Sequence, residues 1–384
     1  MTEFIKRITA AVTAMAVTLC GSVTVYSEGK VTGIAKAAIV TEASTGQVLY
    51  EYNSHERLPM ASVTKLMCLL IWAEEMEKGT FNMDTVITAT ARANAMDGSV
   101  IWLNVGEEMS AYDMIRSVVI SSANDACVAV CEYIAGTEEM FVERMNKRAQ
   151  ELGMSDTHYD NCVGFDSDTH YTSAYDTAIL SAAVSEYDCY NEFFNTRLDY
   201  VREGERQTQL LNTNKLMQRY DGIIGGKTGT TDKAGCCLAV WAKRGNMKLC
   251  AVALGCKESE QRFTACTDLL DYGFSGFELY RTAVDSDVLT PVTVTEGLEK
   301  QADIRVKRLN TIVIPKGSSK RIEYTHTVVD SLSAPVQYGE KVGEVRASLD
   351  GEEIFYSDIV TTGEIGELNF FSSLGIILRS LFSM

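Results

Sequence analysis

The chain has 384 residues, of which 46% are hydrophobic and 23% are charged, a composition typical of a folded protein and not of a disordered one. This length is too great for one ordinary domain and suits two, each able to bury its own core. The net charge of −17, from 35 basic and 52 acidic residues, would repel a phosphate backbone and argues against nucleic acid as a partner.

The N-terminus, residues 1–27, has the pattern of a secretory signal peptide. Lys6 and Arg7 precede an apolar stretch over residues 8–25, and small residues near Ser27 offer a cleavage site. An uncleaved N-terminal anchor is the alternative. The pattern predicts a protein that is secreted across the plasma membrane.

Eleven cysteines in an exported chain would suggest disulfides, but most of them fall inside apolar runs. The following are predicted to be small buried hydrophobic side chains: Cys68, Cys127, Cys131, Cys236, Cys250 and Cys266. The adjacent Cys236 and Cys237 would point to opposite faces of a strand and would not bridge each other.

The segment that follows alternates between strand and helix patterns. Residues 37–40 and 48–51 predict a β-hairpin, and an apolar helix is predicted to begin at Ser62. Further helices are predicted over residues 111–134, 139–152, 175–186 and 262–273, with strands over 226–242 and 247–255. Strands at both ends of a helical region predict a mixed sheet in which the N- and C-terminal strands meet.

The composition changes near residue 284, and short alternating runs separated by turn residues predict a small all-β domain over 284–362. The last segment, residues 365–384, is predicted to be a helix, because the apolar side chains of residues 370–382 other than Ile376 fall on one face at helical spacing. This amphipathic helix is too short to span a bilayer and fits one that lies in the membrane interface. A helix docked on its own protein is the alternative.

Ser62-Val63-Thr64-Lys65 contains a hydroxyl and an amine at helical spacing. Positions three apart lie on one face of a helix, so Lys65 can reach the hydroxyl of Ser62 and activate it as a nucleophile. The spacing alone is a weak signal, because Ser27 and Lys30 share it without a core helix behind them.

Two further motifs strengthen this signal. Ser122-Ala123-Asn124 follows an apolar helical stretch and offers a hydroxyl and an amide. Lys227-Thr228-Gly229 opens a predicted strand, where glycine permits close approach by a ligand. All three motifs, in this order and each in a suitable element, predict an active-site serine enzyme.

The three motifs together match those of serine β-lactamases and penicillin-binding proteins. The chain most resembles the D-alanyl-D-alanine carboxypeptidases, the low-molecular-mass penicillin-binding proteins, and the resemblance covers nearly its whole length. Further similar segments are Pro59-Met60-Ala61, Asp125-Ala126, Arg262-Phe263 and Tyr272-Gly273-Phe274. The resemblance implies an α/β (α+β) catalytic domain of β-lactamase-like fold over 31–283, with a mixed, mainly antiparallel sheet, ahead of the all-β domain and the membrane-anchoring helix.

The resemblance also implies roles for the motif residues. Ser62 would attack the carbonyl of the penultimate D-alanine of a peptidoglycan stem peptide, Lys65 would accept its proton, and Ser122 would pass a proton to the departing D-alanine. β-Lactam antibiotics are the expected inhibitors, the membrane surface is a further expected partner, and no cofactor is expected.

The remaining motif residues are implied to bind the substrate. Asn124 would hold the peptide amide, while Lys227 and Thr228, beside Gly229, would orient the terminal carboxylate. Arg262 is a further candidate for that carboxylate, from its spacing to Lys227. The backbone N–H groups of Ser62 and Thr230 would form the oxyanion hole.

The sequence gives less support to four other functions. The segment 222–228 resembles a phosphate-binding loop, but Asp221 stands where its first glycine belongs and a strand follows it. The four histidines are scattered, and no metal-binding motif is present. A class A β-lactamase would need a deacylating glutamate in an E-x-x-L-N-like segment, which does not occur between Asn124 and Lys227. A wall-binding or penicillin-sensing protein without turnover is the alternative outside enzymes.

Overall fold

The computed structural model describes residues 33–284 and 289–370. The predicted signal peptide, the Ser27 to Lys30 segment and residues 371–384 of the predicted C-terminal helix lie outside the described residues. The described chain forms two compact units, of which the first ends at Gly276 and the second begins at Phe277.

The first unit is built on a five-stranded antiparallel sheet with strand order β2-β1-β9-β8-β7. Its strands are β1 (Ala37–Glu42), β2 (Val48–Tyr52), β7 (Ile223–Thr231), β8 (Gly235–Arg244) and β9 (Met247–Cys256). The N-terminal β1 pairs with the C-terminal β9, with Ala37 opposite Leu254, so the two ends of the unit meet as predicted. Both β1 and β9 are almost fully buried, because helices cover the sheet.

The helices of the first unit supply most of its core. They are α1 (Lys65–Glu77), α2 (Ala91–Asn94), α3 (Ala111–Ser121), α4 (Asn124–Ala135), α5 (Glu138–Glu151), α6 (Ala174–Val184), α7 (Asn191–Phe194), α8 (Leu216–Arg219) and α9 (Ser259–Gly276). Two short hairpins complete the unit: β3 (Val86–Thr88) with β4 (Glu108–Ser110), and β5 (Leu198–Val201) with β6 (Thr208–Leu211).

Three predicted elements differ from the structure. The helix predicted over 111–134 is two helices, because Ser122 adopts a left-handed φ of 67° between them. The strand predicted over 226–242 is two strands, β7 and β8, joined by a turn at residues 232–234. Ser62 lies in a 3-10 turn, Ala61–Thr64, and the α-helix begins only at Lys65.

The second unit is all-β, in agreement with the prediction for this part of the chain. Its strands are β10 (Phe277–Arg281), β11 (Val292–Thr295), β12 (Gln301–Ala302), β13 (Ile304–Val306), β14 (Thr311–Pro315), β15 (Ile322–Val328), β16 (Ser331–Ser333), β17 (Lys341–Leu349) and β18 (Glu352–Thr361). The largest sheet has the order β13-β18-β17-β15 and buries Val345, Phe355 and Ile359.

The end of the second unit and its start differ from the predicted boundaries. Strand β10 lies before residue 284 yet pairs with β14, so the all-β unit begins near Phe277. Ile365 and Glu367 form isolated β-bridges to Val336 and Gly297, so the C-terminal helix cannot start at residue 365. Within the described residues, no helix has the length and apolarity needed to cross a membrane.

Candidate active site

The hydroxyl of Ser62 lies beside the amino group of Lys65, one turn further along the chain. Lys65 Nζ donates to Ser62 Oγ at 2.9 Å. It also donates to Asn124 Oδ1 at 2.7 Å and to the Val163 carbonyl at 2.9 Å. The Lys65 side chain is fully buried, and burial lowers its pKa from the ordinary lysine value. A lysine of this kind is neutral over a wider pH range and can accept a proton from a neighbouring hydroxyl.

The backbone before Lys65 is held in an unusual conformation. Ala61 has a φ of 50°, which is sterically costly for a residue with a side chain. Thr64 Oγ1 donates to the Ala61 carbonyl at 2.8 Å, and His170 Nε2 lies 2.8 Å from the same hydroxyl. His170 Nδ1 accepts from the Asp160 amide at 3.0 Å, so the ring proton is on Nε2 and points at Thr64. Burial lowers the pKa of His170 to about 4, so the ring remains neutral near pH 7.

The second motif lies at the junction of α3 and α4. The left-handed conformation of Ser122 ends α3 and turns the chain, and α4 starts at Asn124. The Asn124 amide is used at both ends, because Oδ1 accepts from Lys65 and Nδ2 donates to the Asp97 carbonyl at 2.6 Å. Asn124 therefore fixes the position of the Lys65 amino group.

The third motif brings a second buried lysine to a second serine. Lys227, on β7, donates from Nζ to Ser122 Oγ at 2.8 Å and to the Thr228 carbonyl at 2.9 Å. Burial lowers the pKa of Lys227 well below its ordinary value, and the charges of Lys65 and Arg262 lower it further. The site thus contains two serine–lysine pairs, Ser62 with Lys65 and Ser122 with Lys227.

Strand β7 passes very close to the turn that carries Ser62. A Cβ atom on Gly229 would lie 2.7 Å from the Met60 carbonyl oxygen and 2.9 Å from the Ser62 amide nitrogen. Only glycine therefore permits this approach. This close approach places the Ser62 amide beside β7, the strand that carries Thr230.

Arg262 and Thr228 complete the site from the outer side of β7. The guanidinium of Arg262, on α9, donates to the Gly229 carbonyl and to Thr230 Oγ1, both at 3.0 Å. Thr228 Oγ1 donates to Thr213 Oγ1 at 2.7 Å. All nine residues singled out from the sequence thus lie in this region, in one connected arrangement.

Several residues that support the site were not given a catalytic role from the sequence. The stretch around Asn161, Gly164, His170 and Asp176 resembles family sequence and is interpreted as loop architecture near the cleft. Val163 supplies a backbone carbonyl, which leaves no side-chain signal. Asp125 is buried and accepts from the amides of Ile101 and Leu103, at 3.1 Å and 3.0 Å, so it holds the loop that contains Asp97. Its sequence signal was the segment Asp125-Ala126, which directly follows Asn124 and resembles family sequence. Asn161 Oδ1 accepts from the Gly164 amide at 2.7 Å and shapes the loop that carries Val163.

Comparison with known proteins decides the family. Residues 24–258 match the D-alanyl-D-alanine carboxypeptidase family, and residues 277–367 match the C-terminal domain of penicillin-binding protein 5. The chain belongs to the D-alanyl-D-alanine carboxypeptidase family. It is therefore a serine-type peptidase hydrolase, as the sequence predicted, and neither a β-lactamase nor a non-catalytic wall-binding protein is favoured.

Individual members of this carboxypeptidase family show how far the likeness extends. The D-alanyl-D-alanine carboxypeptidase DacF of Bacillus subtilis is 36% identical over 342 residues, which cover 88% of each chain. Penicillin-binding protein 5 from Haemophilus influenzae has a solved structure with a TM-score of 0.78 and 26% identity, covering 89% of this chain and 99% of its own. Penicillin-binding protein D2 from Listeria monocytogenes, solved with ampicillin bound, has a TM-score of 0.57 and 26% identity, covering 64% of this chain and 100% of its own.

Proposed function

We propose that this carboxypeptidase removes the terminal D-alanine from peptidoglycan stem pentapeptides through an acyl-enzyme on Ser62. The observation that carries the proposal is the contact of 2.9 Å between Lys65 Nζ and Ser62 Oγ. A fully buried lysine with a lowered pKa is what a serine needs as its base in the absence of a histidine.

The first half of the reaction forms the ester. Neutral Lys65 accepts the hydroxyl proton of Ser62 as Oγ bonds to the carbonyl carbon of the penultimate D-alanine. The negative charge on the carbonyl oxygen is stabilised by the backbone N–H groups of Ser62 and Thr230; the close approach of Gly229, the residue before Thr230, to the Ser62 amide supports this assignment. Collapse of this intermediate breaks the peptide bond.

The leaving D-alanine must gain a proton on its nitrogen. The Ser122 hydroxyl supplies it and takes up in turn the proton that Lys65 removed from Ser62, so Lys65 is neutral again when the acyl-enzyme has formed. Lys227, whose Nζ lies 2.8 Å from Ser122 Oγ, holds this hydroxyl in place. Water then attacks the acyl-enzyme, with Lys65 accepting its proton and returning one to Ser62 Oγ. Carboxylic acid product and free serine result, so the cycle needs no cofactor.

Substrate recognition is assigned to the positively charged end of the site. The terminal carboxylate pairs with Lys227, Thr228 and Arg262, since these side chains bring hydroxyl and cationic donors together on β7 and α9. Asn124 holds the peptide amide of the substrate. Ampicillin bound to the Listeria relative supports β-lactams as covalent inhibitors here as well.

Mass analysis of a muramyl pentapeptide digest tests the activity directly. We expect a tetrapeptide stem and free D-alanine as the only products. A cross-linked dimer in place of the free tetrapeptide, with D-alanine released in both cases, would mean transpeptidation, and cleavage of cross-links with no release from pentapeptide would mean endopeptidase action. Rapid and repeated hydrolysis of penicillin would contradict the proposal in favour of a β-lactamase.

The pH dependence of acylation tests the role of Lys65. The reactive form is the neutral amine, so the acylation rate increases with pH through the Lys65 pKa and then becomes constant. Because burial lowers this pKa, the plateau is expected to begin at a lower pH than it would for a free lysine side chain, whose pKa is about 10.4. Labelling rates with fluorescent penicillin between pH 5 and pH 10 measure it. A rate that still increases at about pH 10 would contradict the assignment.

Anchoring on the extracytoplasmic membrane face by an amphipathic C-terminal helix is part of the same proposal. Residues 371–384 include Leu374, Ile377, Leu378 and Leu381 on one predicted face. Deleting residues 371–384 is expected to move the exported protein from the membrane fraction to the soluble fraction. A chain with Ser373→Ala, on the opposite face, should still sediment with membranes. If the deleted chain also sediments, the anchor lies elsewhere.

A further inference from the structure

Four cysteine side chains gather in the core between α1, α4 and the loop that carries Val163. Cys68 lies on α1, Cys127 and Cys131 lie on α4, and Cys162 lies on the loop. All four are buried. The Sγ atoms of Cys68, Cys127 and Cys131 all lie within 4.8 Å of one another. Cys162 adjoins these three residues, because the thiols of Cys68 and Cys127 donate to its backbone carbonyl at 3.2 Å and 3.6 Å.

We propose that these four residues, the thiol cluster, form a binding site for a soft metal ion such as Zn²⁺ or Cu⁺. Sulfur ligands select these ions over Mg²⁺ or Ca²⁺. In a tetrahedral zinc–thiolate site the Zn–S bonds of about 2.3 Å place the sulfurs about 3.8 Å apart. Three of the sulfurs are already close to that spacing, so modest side-chain movement would complete the first three bonds.

The backbone makes the arrangement rigid. Cys127 and Cys131 are four residues apart on α4 and therefore lie on one face of that helix. Cys68 comes from α1, one turn after Lys65. Two helices thus fix three ligands, and Cys162 offers the fourth. Among residues 33–284 and 289–370, no other set of three ligand side chains brings its donor atoms this close.

The ligands come from three separate segments of the chain, which explains why no metal-binding motif is visible in the sequence. Cys68 and Cys127 are 59 positions apart, and Cys162 lies 35 positions beyond Cys127. Short-range spacing rules for zinc ligands apply to only one pair, Cys127 with Cys131.

Electrostatics around the cluster also suit a metal–thiolate. Binding Zn²⁺ to four thiols releases four protons and leaves a net charge of −2 on the complex. The neighbouring carboxylate of Glu138 adds little to this negative charge, because Arg92 neutralises it. Glu138 Oε1 lies 3.4 Å from Cys162 Sγ as a proton acceptor, and Arg92 pairs with the same carboxylate at 2.8 Å.

Metal analysis of the full chain tests the site. Cells are grown with added Zn²⁺ or, separately, with added copper, and the purified protein is analysed by elemental analysis and native mass spectrometry. We expect one metal ion per chain, and the two growth conditions show which ion is preferred. The variant Cys68→Ala with Cys131→Ala should retain at least 10-fold less metal. The matched control, Cys250→Ala with Cys266→Ala, removes two buried thiols elsewhere in the same unit and should retain it.

Thermal melting gives a second measurement, because an ion that binds only the folded state raises the melting temperature. Treating wild type and control with a chelator should lower their melting temperatures, while the double variant of the cluster should not respond. Labelling with fluorescent penicillin shows that each variant is folded. Wild-type protein that holds no metal, or equal metal in cluster variant and control, would overturn the proposal. So would a mass two hydrogens below that of the free thiols, which would show a disulfide instead.

Discussion

Replacing Ser62 with alanine is expected to abolish labelling by fluorescent penicillin and release of D-alanine, and replacing Lys65 with alanine should slow both by about 10³-fold or more. Alanine at position 62 removes the only atom that can form the ester. Alanine at position 65 leaves that atom in place but removes the amine 2.9 Å from it. Rates of penicillin labelling and D-alanine release measure both effects.

A matched lysine variant shows that the loss of activity comes from the Ser62–Lys65 pair and not from removal of any lysine near this helix. The matched control is Lys78→Ala at the C-terminal end of the same helix, where the lysine is exposed and paired with Glu75. It should keep wild-type activity. Release of D-alanine by Ser62→Ala would contradict the mechanism outright.

The catalytic side chains could be predicted from the sequence because their chemistry is in the side chains themselves. Ser62, Lys65, Ser122 and Lys227 are hydroxyls and amines at fixed short spacings, and the helix and strand patterns around them indicated where they lie. The meeting of the first and last strands of the sheet also followed from the order of elements.

The supporting structure could not be predicted in the same way, because it depends on contacts between distant segments. His170 acts through Thr64, more than 100 positions away, and its hydrogen bond to that hydroxyl has no sequence motif. The break of the helix at Ser122 was missed because the apolar pattern continues through it. The turn between β7 and β8 was missed because the alternation of both strands is nearly continuous.

Gly164 is the supporting residue for which we expect the largest effect on folding. It has a φ of 93°, and a Cβ atom there would lie 1.9 Å from the Ala61 carbonyl oxygen and 2.9 Å from the Ser62 amide nitrogen. Gly164→Ala therefore adds backbone strain to a direct clash. We expect a loss of about 2–5 kcal/mol in stability. Melting temperature measures this loss.

Gly106→Ala separates the two causes, because Gly106 has a similar φ of 79° but nothing within 4 Å of its Cβ position. Gly106→Ala should lower the free energy of unfolding by only about 1–2 kcal/mol, because it adds backbone strain without a clash. The two variants should also differ in activity. Relief of the clash at Gly164 displaces the turn that holds Ser62, and a misplacement of about 1 Å can slow a reaction 10²-fold. Acylation by fluorescent penicillin, measured well below the melting temperature, should therefore fall for Gly164→Ala and stay unchanged for Gly106→Ala. Equal acylation rates would mean that the loop at Gly164 does not position the nucleophile.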